Sequence, residues 1–310
     1  MSGPVFDARH VRRAFSRSAG SYDAAAQLQH VVEARLLESL DYLDDPALQR
    51  TPPQRVLDLG CGTGRASVAM QRRWPKAQVL SVDLALPMLQ QARLAAKRSG
   101  GWPANPFARV PQPICADARA LPLADASVDV LFSNLCLQWV EDFDAVLAGF
   151  RRVLKPNGLL LFSTFGPATL WELREAFARA DDLPHVSPFA DIAGVGDALV
   201  RAGFQQPVLD REDEITHYPD LPALMRELRA IGATNALASR RHTLTGRRRF
   251  RSAADAYAAQ RDPRGLPATW EILSAMAWAP EAGTPIREGG IDVTAVPVAR
   301  IPIRRRGGMA

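Results

Sequence analysis

Cysteine is scarce in these 310 residues, and the little there is lies scattered. Cys61, Cys115 and Cys136 form no Cys-x-x-Cys pair and show no Cys/His ligand spacing. That argues against a zinc site and a disulfide framework, and leaves free thiols suited to a reducing cytoplasm. The five histidines (His10, His30, His185, His217 and His242) do not cluster, so no metal is expected. No apolar run approaches about 18 residues, which excludes a membrane-spanning helix. The opening "MSGPVFDARHVRRAF" is basic but lacks the apolar stretch of a secretory signal. Aromatics are few, at 7%, and none interleaves the arginine run at 240–251 in a way that suits nucleic acid. There is no internal repeat.

What remains is ordinary globular material, with 47% hydrophobic and 23% charged residues. The length suits one large domain, or one with a sizeable insertion. A net charge of +5 permits an acidic partner without naming one.

Residues 5–43 read as helical, broken by "SAGSYD" at 18–23, where Ser21 or Asp23 is placed to cap the second helix. The proline-bearing "DDPALQRTPPQ" (44–54) reads as a linker. Short β-type runs follow at 55–59, 78–83, 113–117, 128–134 and 158–165, with helical patterns at 64–73, 86–98 and 143–154 between most of them. Strands alternating with crossover helices predict an α/β, doubly wound parallel sheet. "KPNG" (155–158) reads as a turn between helix and fifth strand. Two helices are expected over 169–203, the second ending at Gly203. "PVLDREDEI" (207–215) has the acidic centre of an edge strand. Residues 217 to about 262 turn helical again, and "ATWEILSAMAWAP" (268–280) is apolar enough to return to the sheet as its last strand. The final 30 residues read as an appendage, hairpin or tail.

The chemistry gathers in "RVLDLGCGTGRASVAM" (55–70). Gly60, Gly62 and Gly64 make a G-x-G-x-G turn between strand and helix, where backbone amides can meet a ligand closely. No Gly-Lys-Ser/Thr follows, which excludes a P-loop. Asp58 precedes the turn; a carboxylate there suits a pyrophosphate poorly and tolerates a cationic ligand. S-adenosylmethionine fits, with its sulfonium, ammonium, carboxylate and ribose. Asp83 ends the second strand, where an acidic residue takes ribose hydroxyls in doubly wound folds. Asp117 ends the third, placed to accept from an adenine amino group, with Ala118 as backbone donor. The plainer reading makes Asp83 and Asp117 helix caps.

Together "VLDLGCGTG", "SVD", "CADARALPLADASVDVLFSNLCLQWV" and "RVLKPNGLLLFSTF" resemble the class I S-adenosylmethionine-dependent methyltransferases over about 55–165. The resemblance implies a Rossmann-like sheet with N-terminal helices and a helical insertion before the last strand. It implies cofactor contacts at Asp58, Gly60, Gly62, Gly64, Asp83, Leu84, Asp117, Ala118, Asn134 and Leu135. Trp139 is either a wall of the methyl-transfer cleft or core packing.

"VRRAFSRSAGSYDAAAQLQ" and "LMRELRAIGATNALASRRHTLTG" (224–246) extend the resemblance to the malonyl-acyl-carrier-protein O-methyltransferases of biotin synthesis, over about 11–280. That family implies methylation of the free carboxylate of a malonyl thioester, in a cytoplasmic setting. A carboxylate needs no general base, so a clamp is expected in place of a triad. Tyr22 is the expected hydroxyl over the cofactor, and Arg226 the expected partner of the malonyl carboxylate. Arg240, Arg241, Arg247, Arg248, Arg249 and Arg251 are either a docking face for an acidic carrier protein or a solvated face. The chain then divides into a helical cap (1–50), a cofactor-binding core (51–216), a helical substrate or partner insertion (217–267), a final core strand (268–280) and an appendage (281–310).

Two other readings stand beside this one. "HVSPFADIAGVGDALVRAGF" and "DEITHYPDLPALMREL" also resemble a mitochondrial complex I assembly factor of the same fold associated with arginine hydroxylation. Another small-acid or quinone methyltransferase, or a non-catalytic scaffold, would share the fold.

Overall fold

The computed structural model describes residues 4–45, 51–99, 109–241, 243, 245–281, 284, 286–288 and 291–293. Most of the linker at 46–50, His242 and the tail at 294–310 lie outside the described residues.

Seven strands form one sheet. They are β1 (Arg55–Leu59), β2 (Gln78–Asp83), β3 (Gln112–Cys115), β4 (Val128–Ser133), β5 (Leu154–Phe165), β6 (Gln205–Tyr218) and β7 (Leu266–Trp278). Their order is β3-β2-β1-β4-β5-β7-β6. Apolar runs such as "RVLDL" and "VDVLFS" are buried along nearly their whole length because helices cover both faces. Parallel pairing holds from β3 to β5, but β7 runs antiparallel to both β5 and β6. The sheet is therefore mixed, where the sequence pattern predicted a parallel one. The order reverses between β1 and β4, and the crevice beyond their carboxyl ends is where such sheets bind ligands.

Ten helices are described: α1 (Ala8–Ser18), α2 (Tyr22–Ala25), α3 (Gln27–Glu38), α4 (Arg65–Arg73), α5 (Leu86–Ser99), α6 (Phe143–Val153), α7 (Trp171–Ala178), α8 (Ile192–Arg201), α9 (Leu221–Ala230) and α10 (Arg247–Ala258). Leu57, Leu131 and Phe162 pack on one face of the sheet against Leu147 and Phe150 of α6 and Leu199 of α8. Val56, Val130 and Phe132 pack on the other against Leu36 of α3 and Met70 of α4. A third cluster lies under α7, α9 and α10, with Phe177, Leu224, Tyr257 and Trp270.

The insertion is a loop grown on a hairpin. Tyr218 at the end of β6 pairs with Leu266 at the start of β7, and α9 and α10 lie between them. Gly265 (φ +136°) closes the neck: a Cβ there would lie 2.7 Å from the Tyr218 carbonyl oxygen.

Several local expectations change. Ser21 precedes α2 without capping it; its hydroxyl donates to the carbonyls of Ser18 and, at 2.9 Å, Ala230. Asp23 accepts from Thr63 Oγ1 at 2.5 Å and so ties α2 to the glycine turn. "KPNG" is a bulge inside β5, not a turn before it: the register against β4 shifts between Val128 and Val130, and Asn157 takes φ +59°. β3 ends at Cys115, two residues before Asp117. β6 is the sheet edge that its acidic centre predicts. The start of the appendage holds an antiparallel pair, β8 (Ile286–Glu288) with β9 (Ile291–Val293).

Candidate active site

The three glycines do three different jobs. Gly60 (φ +69°) lies against Cys136, whose Sγ would be 2.5 Å from a Cβ at that position. Gly62 (φ +51°) faces open space, with only the Tyr22 ring near, 3.8 Å from where a Cβ would stand. Gly64 (φ +83°) faces Ala92 of α5, 2.7 Å from a Cβ. Gly60 and Gly62 line the cavity at the strand ends; Gly64 does not, and serves the packing of the turn on α5.

That cavity, with its open mouth included, spans about 940 Å³. Asp83, Leu84, Asp117, Ala118, Asn134 and Leu135 all line it. Asp83 is buried deeply enough to push its carboxyl up to about 6. Its Oδ2 accepts from Gly62 N at 3.0 Å and its Oδ1 from Ala85 N at 2.7 Å. Asp117 is held otherwise: Arg119 grips it through Nε (2.9 Å) and a terminal nitrogen (2.6 Å), which keeps its carboxyl below the usual range. Asn134 Oδ1 accepts from Ser163 Oγ at 2.8 Å, and its Nδ2 donates to the Gln29 carbonyl of α3 at 3.0 Å. Leu135 follows with φ +44°, held by its backbone N–H, which donates to Ser163 Oγ and to the Ser163 carbonyl.

Asp58 sits off this cavity, in a recess of about 370 Å³ that continues from the turn. Glu33, His30 and Arg65 line the same recess. Burial pushes Asp58 up to about 7 although Ser67 Oγ donates to it at 2.5 Å. Burial also raises Glu33, which Arg65 meets at 3.2 Å. His30 Nε2 is buried with no hydrogen-bond partner. Tyr22, Gly60, Gly62 and Asn134 line both spaces. Two buried carboxylates held above their usual range, beside an open glycine, suit a ligand with cationic groups and a ribose.

Tyr22 stands at the junction of cavity and recess. Burial, with Asp83 beside it, pushes its phenol up, so it stays protonated. Its hydroxyl makes no hydrogen bond among the described residues. Trp139 is a wall: it lines the cavity and stacks edge-on with Phe15 at 5.5 Å and Phe6 at 6.1 Å. Phe6, Val11 and Phe15, before and along α1, close the same side, which the sequence reading missed. The stripe Val11–Phe15 at i, i+4 is the signal that was there to find.

Beyond Trp139 lies a second cavity of about 990 Å³, walled largely by apolar side chains. Arg226 does not reach it. It is exposed, in a surface groove with Gln27 and His217. Met225, Leu228 and Arg229 are the α9 residues that line the second cavity. The basic run is also divided. Arg240 pairs with Asp7 at 3.1 Å and Arg241 with Asp181 at 2.9 Å, so both are spent inside the molecule. Arg247, Arg248, Arg249 and Arg251 lie exposed on α10. Among the described residues no three His, Cys, Asp or Glu side chains converge as metal ligands.

The methyltransferase-domain family model matches residues 57–162, from β1 to β5. The chain is 58% identical over 303 residues to the malonyl-acyl-carrier-protein O-methyltransferase of Xylella fastidiosa strain M23, covering 97% of this chain and 98% of that one. The chain belongs to the malonyl-acyl-carrier-protein O-methyltransferase family. The family member from Methylovorus sp. strain MP688 is 44% identical over 92% of this chain and 93% of its own. An alignment over 97% of the chain takes in the insertion as well as the core. Among solved structures, a Bacillus halodurans C-125 protein described as a candidate methyltransferase aligns with TM-score 0.55 at 16% identity, over 78% of this chain and 99% of that one. The Bacillus subtilis YcgJ protein aligns with TM-score 0.52 at 15% identity, over 74% and 92%. Both share the fold of this family member.

Proposed function

We propose that this chain transfers the methyl group of S-adenosylmethionine to the free carboxylate of a malonyl thioester on acyl carrier protein. The observation that carries the proposal is 58% identity across 97% of the chain to a protein of that name. The ester cap hides a charge, and the capped chain then suits fatty-acid elongation toward pimelate, in the cytoplasm.

The residues fit such a cofactor. Gly62 leaves its backbone open to it and Gly60 lines the same cavity, Asp83 is set for the ribose, and Asp117 with Ala118 lies at the adenine end. Leu84, Asn134 and Leu135 complete the wall, and Asp58 with Glu33 offers carboxylates to the ammonium. Bound there, S-adenosylmethionine would supply an electrophilic methyl to the acceptor oxygen, with the carbon–sulfur bond pair left on sulfur as a neutral thioether. No proton moves, so no general base is needed. The protein contributes alignment and exclusion of water. Tyr22, neutral and with a free hydroxyl, orients the groups at the junction; Trp139 and the α1 aromatics keep the cleft dry.

The division of labour follows: residues 51–216 hold the cofactor, 1–50 cover it, and 217–267 join the core in meeting the acceptor. Carrier proteins are acidic, and the exposed arginines of α10 form the docking face.

The test is mass spectrometry of malonyl-acyl-carrier protein after incubation with enzyme and methyl-labelled S-adenosylmethionine. One labelled methyl, removed by mild ester hydrolysis, is expected. No gain, with cofactor still bound in a parallel titration, would leave the fold and discard the acceptor.

A further inference from the structure

We infer that the cavity beyond Trp139 is the acceptor site, and that Arg229 pairs there with the carboxylate that takes the methyl. The inference rests on the proposed acceptor chemistry. Trp139 lines both cavities, so the second lies against the one assigned to the cofactor. Its walls are chiefly apolar, with Phe165, Leu173, Phe177 and Trp270 among them. An anion entering such walls is costly unless a cation meets it.

Two lining residues can carry positive charge, and they differ. His185 is engaged: Asp181 holds its Nε2 at 2.8 Å and its ring stacks on Phe177 at 4.1 Å. Arg229 is exposed where it lines the cavity, and it has no side-chain partner among the described residues. A free guanidinium presents two parallel N–H donors to a carboxylate. One oxygen can be held while the other attacks.

A further group fits the rest of such an acceptor. Gln138 lines the cavity, donates through Nε2 to the Leu135 carbonyl at 2.6 Å, and leaves its buried Oε1 without a partner. That oxygen is fixed as an acceptor, and a pantetheine arm carries amide N–H groups. Apolar walls, one free cation and one unmet acceptor together describe an uncharged amide chain ending in an anion.

The arm's phosphate is the other anion in reach of Arg229, and the experiment separates the two. Wild type, Arg229→Ala, Arg229→Lys and Arg12→Ala would be assayed with malonyl-acyl-carrier protein and with malonyl-pantetheine, which has no phosphate. Calorimetry would give the affinity for S-adenosylmethionine, and for malonyl-pantetheine on enzyme saturated with S-adenosylhomocysteine. Arg229→Ala should raise the acceptor KM and Kd by about tenfold to a hundredfold on both substrates, with cofactor affinity kept. Arg229→Lys should recover part of the loss. Unchanged acceptor affinity overturns the assignment. A loss confined to the carrier-bound substrate gives Arg229 to the phosphate and also overturns it. So does a loss that follows Arg12, an arginine lining the first cavity with no side-chain partner among the described residues. A wild type that methylates neither substrate removes the proposed function itself, and this inference with it.

Discussion

Asp83 and Gly62 hold each other: the carboxylate Oδ2 of the one accepts the backbone N–H of the other at 3.0 Å. The residue assigned to the ribose is therefore also the residue that sets the loop. Asp83→Ala removes both the proposed ribose contact and the loop tether. We expect cofactor affinity to fall by about 1–3 kcal/mol, the worth of lost charge-assisted hydrogen bonds, measured by calorimetry. Undiminished affinity would take the ribose away from Asp83.

The glycines separate binding from stability. Gly64→Ala drives a Cβ to 2.7 Å from Ala92 Cβ, and overpacking of this kind costs about 1–3 kcal/mol. The melting temperature should fall, and Ala92→Gly in the same chain should restore part of it. Gly62→Ala meets nothing closer than 3.8 Å. It carries the left-handed backbone cost, about 1–2 kcal/mol, and puts a methyl where the ligand approaches. Cofactor affinity should suffer there more than the melting temperature. Equal effects of the two substitutions on both readouts would contradict the division.

Acid should weaken cofactor binding. Asp58 is pushed up to about 7 and Asp83 up to about 6, against an ordinary value near 4. An acid raised on folding holds extra protons in the folded state. Its stabilising share is whole below the unfolded value and is lost as pH rises through the folded one. Without ligand, the protein should therefore lose stability from about pH 4 to pH 7. A cationic ligand favours the ionised carboxylates and so releases protons on binding. Calorimetry near pH 6.5 in buffers of different ionisation enthalpy should show that release; its absence would remove the carboxylates from the cofactor's cationic groups.

Most of the cofactor half was legible in the sequence because local chemistry fixes it. A strand end, a glycine turn and an acidic strand end follow one another within 30 residues, and each carries its own reason. The acceptor half was not, because it depends on how α9 rolls against the sheet. Arg226 and Arg229 stand three residues apart, and only the face decides between them. Leu221, Leu224, Met225 and Leu228 mark the buried stripe, and Arg229 lies four residues beyond Met225 on that side. Arg226 lies off it, so Arg226→Ala should leave the acceptor KM unchanged. Pairing was illegible for the same reason: nothing local brings Arg240 to Asp7 or Arg241 to Asp181. The reversed strand β7 was hidden too, since an apolar run does not state its direction.

The proposed docking face of α10 is tested by charge reversal. Arg247, Arg248 and Arg251 are exposed on α10 and make no ion pair among the described residues; Arg249 only approaches Asp181, at 3.9 Å. Asp181 also holds His185 at the wall of the second cavity, so this helix stands beside the proposed acceptor site. Charges on an exposed face act mainly on encounter, and salt screens them. Reversing Arg247, Arg248 and Arg251 to Glu should lower kcat/KM for malonyl-acyl-carrier protein by about tenfold or more at low salt, with the gap narrowing as salt rises. The same variant should use malonyl-pantetheine as wild type does, because a free thioester needs no protein docking. Equal loss on both acceptors would mean that α10 supports the cavity and not the carrier protein. No loss on either would make its arginines a solvated face.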